Sequence, residues 1–187
     1  GVELPNNSCE NWGFMLILLG LLALIFAHIT YKDVKVRLVF RRDLIALVCL
    51  RIVALAIALI AEYCFEIESV LGFSVDQWGI RSFVLSVAMA FIICAFVQGV
   101  AYITNRLTNK YGAKEESLGL GDVKLYALCS LFLSVEGGLI FLFLSAIVGA
   151  VMALYCKVIK KQKTFPFAPA IVWSCFAVLI VESAGLL

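Results

Sequence analysis

Long charge-free runs alternate along the chain with short loops dense in charge, the pattern a bilayer imposes on a helical protein. The first run covers about Gly13 to Ile29 and gives way to a basic loop, Tyr31 to Asp43. A second covers about Leu44 to Tyr63, interrupted by Arg51, and leads into a mildly acidic loop with Glu62, Glu66, Glu68 and Asp76 against Arg81. The third, Ser82 to Thr104, carries no charge and is long enough for ~30 Å of hydrocarbon at about 1.5 Å per residue. Beyond a polar segment, residues 125–156 are apolar except at Glu136-Gly137-Gly138. A single helix of that length would reach roughly 48 Å, too long for a core of about 30 Å. The Glu-Gly-Gly break therefore predicts a tight hairpin between a fourth span, about Asp122 to Val135, and a fifth. After the loop Lys157 to Phe165, a sixth runs from about Pro166 to Leu187. The expected fold is an all-α polytopic membrane protein: a bundle of six transmembrane helices in a single domain, residues 1–187. No small-residue cleavage site follows the first run, so it is predicted as a span and not a removable signal peptide.

Composition agrees: 64% of the 187 residues are hydrophobic and 15% charged, against about 45–50% and about 25% in soluble domains. The longest polar stretch leaves no room for a separate soluble domain. A net charge of +2 matters less than its placement. With six spans and the N-terminus outside, thirteen of the fifteen Lys and Arg fall on one side. Only Arg81 lies opposite and Arg51 within a span. Positive charge concentrates on the cytoplasmic side, so both termini are expected outside. Merging spans four and five would send the cluster Lys157 to Lys163 outward. Arg51 is expected to snorkel back to the cytoplasmic surface. Of seven cysteines none forms a C-x-x-C, which leaves a zinc or redox motif without support. Only Cys9 and Cys64 fall where an oxidising compartment reaches, and no spacing requires them to pair.

Three segments gather at the cytoplasmic ends of these helices: Tyr31-Lys32-Asp33, Gly119-Leu120-Gly121-Asp122-Val123-Lys124 and Pro166-Phe167-Ala168-Pro169. Gly119 and Gly121 allow a tight turn and a close backbone approach. Asp122 then falls in the first turn of a helix, where the dipole favours a carboxylate. Span four is short, about 21 Å, which sets Asp122 near the lipid boundary. Two close carboxylates share a proton, because both cannot easily ionise together. Such a pair hydrolyses a peptide without metal or cofactor: one carboxylate deprotonates water while its protonated partner polarises the carbonyl. Asp33 and Asp122 are the candidate pair.

Together the three segments resemble the type IV prepilin peptidases, GxGD-type intramembrane aspartyl proteases. The resemblance covers the chain in motif order and span number. It implies that Asp33 and Asp122 are catalytic and that Gly119, Gly121, Lys124, Pro166, Phe167 and Pro169 shape the surrounding loops. It further implies an aspartic endopeptidase that removes a short basic leader from prepilin-like precursors. The cut would fall at the cytoplasmic face of a bacterial or archaeal cytoplasmic membrane, with the bilayer and those precursors as partners and no nucleic acid. Two departures touch loop shape: Arg37-Leu38-Val39-Phe40 stands where relatives often carry an Ile-Pro-Asn-like run, and Ala168 replaces the usual glycine of PFGP. Longer bacterial relatives also methylate the new N-terminus and carry a cytosolic segment with paired C-x-x-C motifs. That segment has no counterpart here, so only the peptidase activity is carried over.

Other readings compete at single residues. Asp33 fits a loop charge offsetting Lys32, Lys35 and Arg37. Asp43, flanked by Arg41 and Arg42, is the rival first aspartate but reads as the helix N-cap of span two. Lys124 reads as a membrane-boundary marker, and Pro166 and Pro169 as fixing the start of span six. Glu115 and Glu116 read as solvated charges, or as contacts for a basic leader. A Cys–His peptidase would need His28, the single histidine, beside a thiol such as Cys49, Cys129 or Cys156, and no spacing supports that. A small transporter or assembly scaffold is the non-enzymatic alternative. It would carry polar groups along its spans, and apart from Arg51 there are almost none.

Overall fold

The computed structural model describes residues 12–36, 40–65, 80–110, 119–158 and 166–184. They form six helices: α1 (Trp12–Val36), α2 (Arg41–Phe65), α3 (Ile80–Lys110), α4 (Leu120–Ser130), α5 (Val135–Val158) and α6 (Ala168–Ser183). Four are long and apolar enough to cross a membrane, namely α1, α2, α3 and α5. α6 is a shorter apolar helix, and α4, at 11 residues, is only ~16 Å long.

The two short helices occupy the middle. α6 packs against α1, α4 and α5, while α4 packs against α2, α3 and α6. α6 buries every residue from 168 to 172 and then Ser174, Cys175, Val178 and Leu179, while Trp173, Ile180 and Val181 stay exposed. The long helices instead bury one stripe each. On α1 this is Leu18, Leu22, Phe26, Ile29 and then Asp33; on α2 it is Asp43, Leu47, Arg51 and Ala54. These spacings of three and four keep one face turned inward. Opposite faces expose large apolar side chains such as Leu24, Phe91 and Phe143, as a lipid-facing surface does.

Several boundaries differ from the sequence expectations. α1 continues past Ile29 through Tyr31, Lys32 and Asp33, which are helical and not part of a loop. Charge marks where a helix leaves lipid, but no glycine or proline stops the helix there. Asp43 is not the N-cap of α2. The carbonyl of Phe40 accepts the first bonds, from the N–H groups of Asp43 and Leu44, so Asp43 sits inside the first turn. The hairpin lies at Leu131–Ser134, ahead of Glu136-Gly137-Gly138, which belong to α5. The chain tightens there through i→i+3 bonds from Leu131, Phe132 and Leu133 to Leu128, Cys129 and Ser130. Ser134 then caps α5: its carbonyl accepts the N–H of Gly138 at 2.9 Å and its hydroxyl the N–H of Gly137 at 3.1 Å.

The glycine pair serves packing. A Cβ on Gly137 would overlap the Glu182 carboxylate, and one on Gly138 would press on Met89 at 3.3 Å. Small residues let membrane helices approach this closely. Arg51 also departs from expectation. It is 2% exposed, and its Nε donates to the carbonyl of Leu131 at 2.8 Å, inward and not toward a membrane surface. Cys9 lies outside the described residues, as do the side chain of Cys64 and residues 37–39.

Gly137→Ala is expected to destabilise the protein by about 1–3 kcal/mol through overpacking, and Gly138→Ala by less, because the Met89 side chain can move. Thermal unfolding in detergent checks the order of the two.

Candidate functional site

Asp33 is the last residue of the buried stripe of α1, and its carboxyl reaches the start of α6. The Ala168 N–H donates to Asp33 Oδ2 at 3.1 Å. The first turn of α6 explains why. Pro169 has no N–H, and those of Ala170 and Ile171 turn back to the carbonyl of Phe167 at 3.0 and 3.4 Å. Ala168 therefore holds the one N–H of that turn left for an outside acceptor, and the helix N-terminus favours a negative one. Because the donor is backbone, alanine at 168 keeps the contact as glycine would.

Asp122 is the third residue of α4, which is not among the four long apolar helices. Gly119 precedes that helix in extended conformation, with φ −75° and ψ 146°, and not in the tight turn expected of it. A Cβ there would sit 3.7 Å from Asp122 Oδ2, an ordinary contact. The Gly119 backbone lies beside the Asp122 carboxyl and favours its ionised form. Burial raises the Asp122 carboxyl to about 6, the negative charge of Asp33 adds to the rise, and the Gly119 bond opposes it. The two aspartates are thus near enough to feel one another. A raised carboxyl beside another is the arrangement in which one proton is shared.

Phe167 and Tyr126 join the two halves of the site. The Phe167 ring lies against Gly149 of α5, where a Cβ would overlap it, and 6.1 Å from the Tyr126 ring. Tyr126 follows Asp122 by one helical turn, and its hydroxyl donates to Ser145 Oγ at 2.9 Å. Ser145 passes the bond to the carbonyl of Leu142 at 3.0 Å. Pro169 is buried and Pro166 half-buried; Gly121 is half-buried in the first turn of α4, and Lys124 is exposed. Tyr126, Ser145 and Gly149 were not singled out from sequence. The available signal was the four-residue step from Asp122 to Tyr126.

A groove of about 670 Å³ between α3 and α5 is lined by Met89, Phe96, Val100, Leu139 and Phe143 together with Tyr126 and Phe167. Its walls are almost wholly apolar. His28 faces the Asp43 carboxylate at 3.7 Å, so the single histidine answers to a carboxylate and not to a thiol. Lys32 lies over the Phe40 ring at 4.3 Å, closing the corner between α1 and α2. Among the described residues, no three His, Cys, Asp or Glu side chains converge as a metal set. Glu115 and Glu116 lie outside the described residues.

The sequence model of the type IV leader peptidase family matches residues 16–154. That range holds Asp33, Gly119, Gly121 and Asp122 and stops before Pro166. No curated protein and no solved structure matches the chain.

Asp33→Asn is expected to lower the Asp122 midpoint from about 6, since a neighbouring negative charge no longer opposes ionisation. The midpoint should stay above the ordinary carboxylate value, because burial remains. A carboxyl titration followed by infrared or NMR reads both.

Proposed function

The chain belongs to the type IV leader peptidase family, and from that premise we propose that it is a membrane-embedded aspartic endopeptidase whose catalytic pair is Asp33 and Asp122. Its substrates are type IV prepilin-like precursors, cut after a short basic leader at the cytoplasmic face of a bacterial or archaeal cytoplasmic membrane. All six helices belong to the membrane bundle, with both termini outside. The basic residues crowded on the Asp33 side support that orientation.

One feature supports the mechanism above the rest: burial, with the charge of Asp33 adding to it, raises the Asp122 carboxyl to about 6. The surroundings of the two carboxyls divide the work. Asp33 accepts a helix N-terminal N–H, which favours its ionised form. Asp122, half-buried and raised to about 6, keeps its proton to a higher pH than an ordinary carboxyl. Asp33 takes a proton from water as the oxygen attacks the scissile carbonyl, while the Asp122 proton moves toward the carbonyl oxygen. Collapse of the tetrahedral intermediate breaks the C–N bond, and the amine leaves with the proton that Asp33 took. A hydroxyl of the intermediate returns its proton to Asp122 as the C=O re-forms, so both carboxyls regain their starting states. Gly119 orients Asp122, Phe167 and Pro169 set the start of α6, and the apolar groove receives residues beside the scissile bond. Gly121 and Lys124, helical in α4 and not in a loop as expected, and Pro166, just ahead of α6, flank the pair.

Cleavage of a prepilin-like substrate in liposomes tests this reading. Asp33→Asn and Asp122→Asn are each expected to lose at least ~100-fold in rate, while Asp43→Asn keeps cutting. Parental rates in both of the first two variants would remove the aspartyl assignment. An inert Asp43→Asn beside an active Asp33→Asn would move the first aspartate to α2.

A further inference from the structure

Three buried polar side chains outside the proposed dyad converge on one short segment, the Leu131–Ser134 turn that ends α4. Arg51 of α2 donates from Nε to the Leu131 carbonyl at 2.8 Å. Ser86 of α3 donates to the Leu133 carbonyl at 3.0 Å. Glu182 of α6 accepts the Ser134 N–H at 3.0 Å and the Ser134 hydroxyl. Each side chain comes from a different helix, and all three are buried. The Arg51 guanidinium also lies 5.4 Å from the Phe83 ring.

Apolar packing alone would hold a helix end in this bundle at lower desolvation cost than an arginine and a glutamate. What polar contacts add is direction. Hydrogen bonds to named carbonyls and an N–H fix rotation and height, whereas greasy surfaces permit sliding. The object fixed here is a rod: Asp122 and Leu131 are the two ends of α4, about 13 Å apart at ~1.5 Å per residue. A slip of one residue at the turn would rotate the helix by about 100° and carry Asp122 off the line to Asp33. Arg51 lies about 15 Å along α2 from Arg41, the depth at which so short a helix must end.

We propose that Arg51 is a positioning residue: with Ser86 and Glu182 it anchors the far end of α4, and so holds Asp122 opposite Asp33. This rests on Asp122 as a reacting carboxyl. The anchor acts on catalysis and not on substrate capture, because none of its three members lines the apolar groove.

Steady-state cleavage and its pH profile, on intact protein in liposomes, test the anchor with Arg51→Met, Arg51→Lys and Ser86→Ala. Arg51→Met is expected to lower kcat about 10- to 100-fold, the effect of small misplacements of a reacting group, with KM within about twofold of the parent. Its alkaline limb should move to lower pH, as Asp122 loses both burial and the charge of Asp33. Arg51→Lys, which keeps a donor of similar reach, should recover most of the rate. A limb moving to higher pH would show that Arg51 acts through its positive charge and would overturn positioning. So would a parental kcat in Arg51→Met, or a rise in KM alone. If Arg51→Met does not fold, Ser86→Ala must show a smaller fall in kcat with the same direction of limb shift, and parental behaviour there overturns the anchor. Asp122→Asn separates the two levels. If it cuts like the parent, the dyad reading fails; if it is inert while Arg51→Met is unaffected, only the anchor fails.

Discussion

A helix that stops inside an apolar bundle leaves carbonyl and amide groups with no water to receive them, and this chain has two such helices. α4 and α6 are short, and one end of each, the turn after α4 and the start of α6, falls among other helices. Each end needs polar partners from elsewhere in the sequence. The start of α6 takes Asp33 from α1. The turn after α4 takes Arg51 from α2, Ser86 from α3 and Glu182 from α6. In a bundle otherwise held by side-chain packing, which is weakly directional, these few contacts decide rotation and depth.

The same constraint places the chemistry. Asp33 is drawn inward because the α6 N-terminus lacks an acceptor, and Asp122 is carried inward as the third residue of a helix too short to keep it in solvent. Two carboxyls that would each prefer water are thereby drawn away from it, Asp33 buried and Asp122 half-buried. The raised Asp122 carboxyl is the electrostatic cost of that arrangement, and it keeps its proton to a higher pH than an ordinary carboxyl. Phe167 and Tyr126 serve both sides. They pack the junction of α4, α5 and α6 and line the apolar groove.

Much of this was legible in sequence. Six apolar segments correspond to six helices, and the buried stripe of α1 continues from Leu18 through Ile29 to Asp33 at helical spacing. The three motif segments resembling prepilin peptidases supplied the two aspartates as candidates. The misreadings share a physical origin: each judged a residue by local chemistry when a distant partner decides its role. Gly137 and Gly138 look like a turn, yet they are there because Glu182 and Met89 need the space. Ser134 was the better signal, a capping residue just before an apolar run. Arg51 looks like a snorkelling side chain, but the carbonyl it meets belongs to Leu131, a contact no local pattern announces. Asp43 reads as a cap from its place just ahead of span two, while the backbone carbonyl of Phe40 accepts the first bonds of α2.

The most direct measurement of the paired-carboxylate account is the affinity of a substrate-like peptide carrying a hydroxyl isostere at the scissile bond. Such a hydroxyl takes the place of the attacking water and needs both carboxyls at once. The expected result is tight binding to the parent, loss of at least about 100-fold in Asp33→Asn and in Asp122→Asn separately, and little further loss in the double variant. Unchanged affinity in either single variant would mean that the two aspartates do not act on one water, and would contradict the pairing at the centre of this structure.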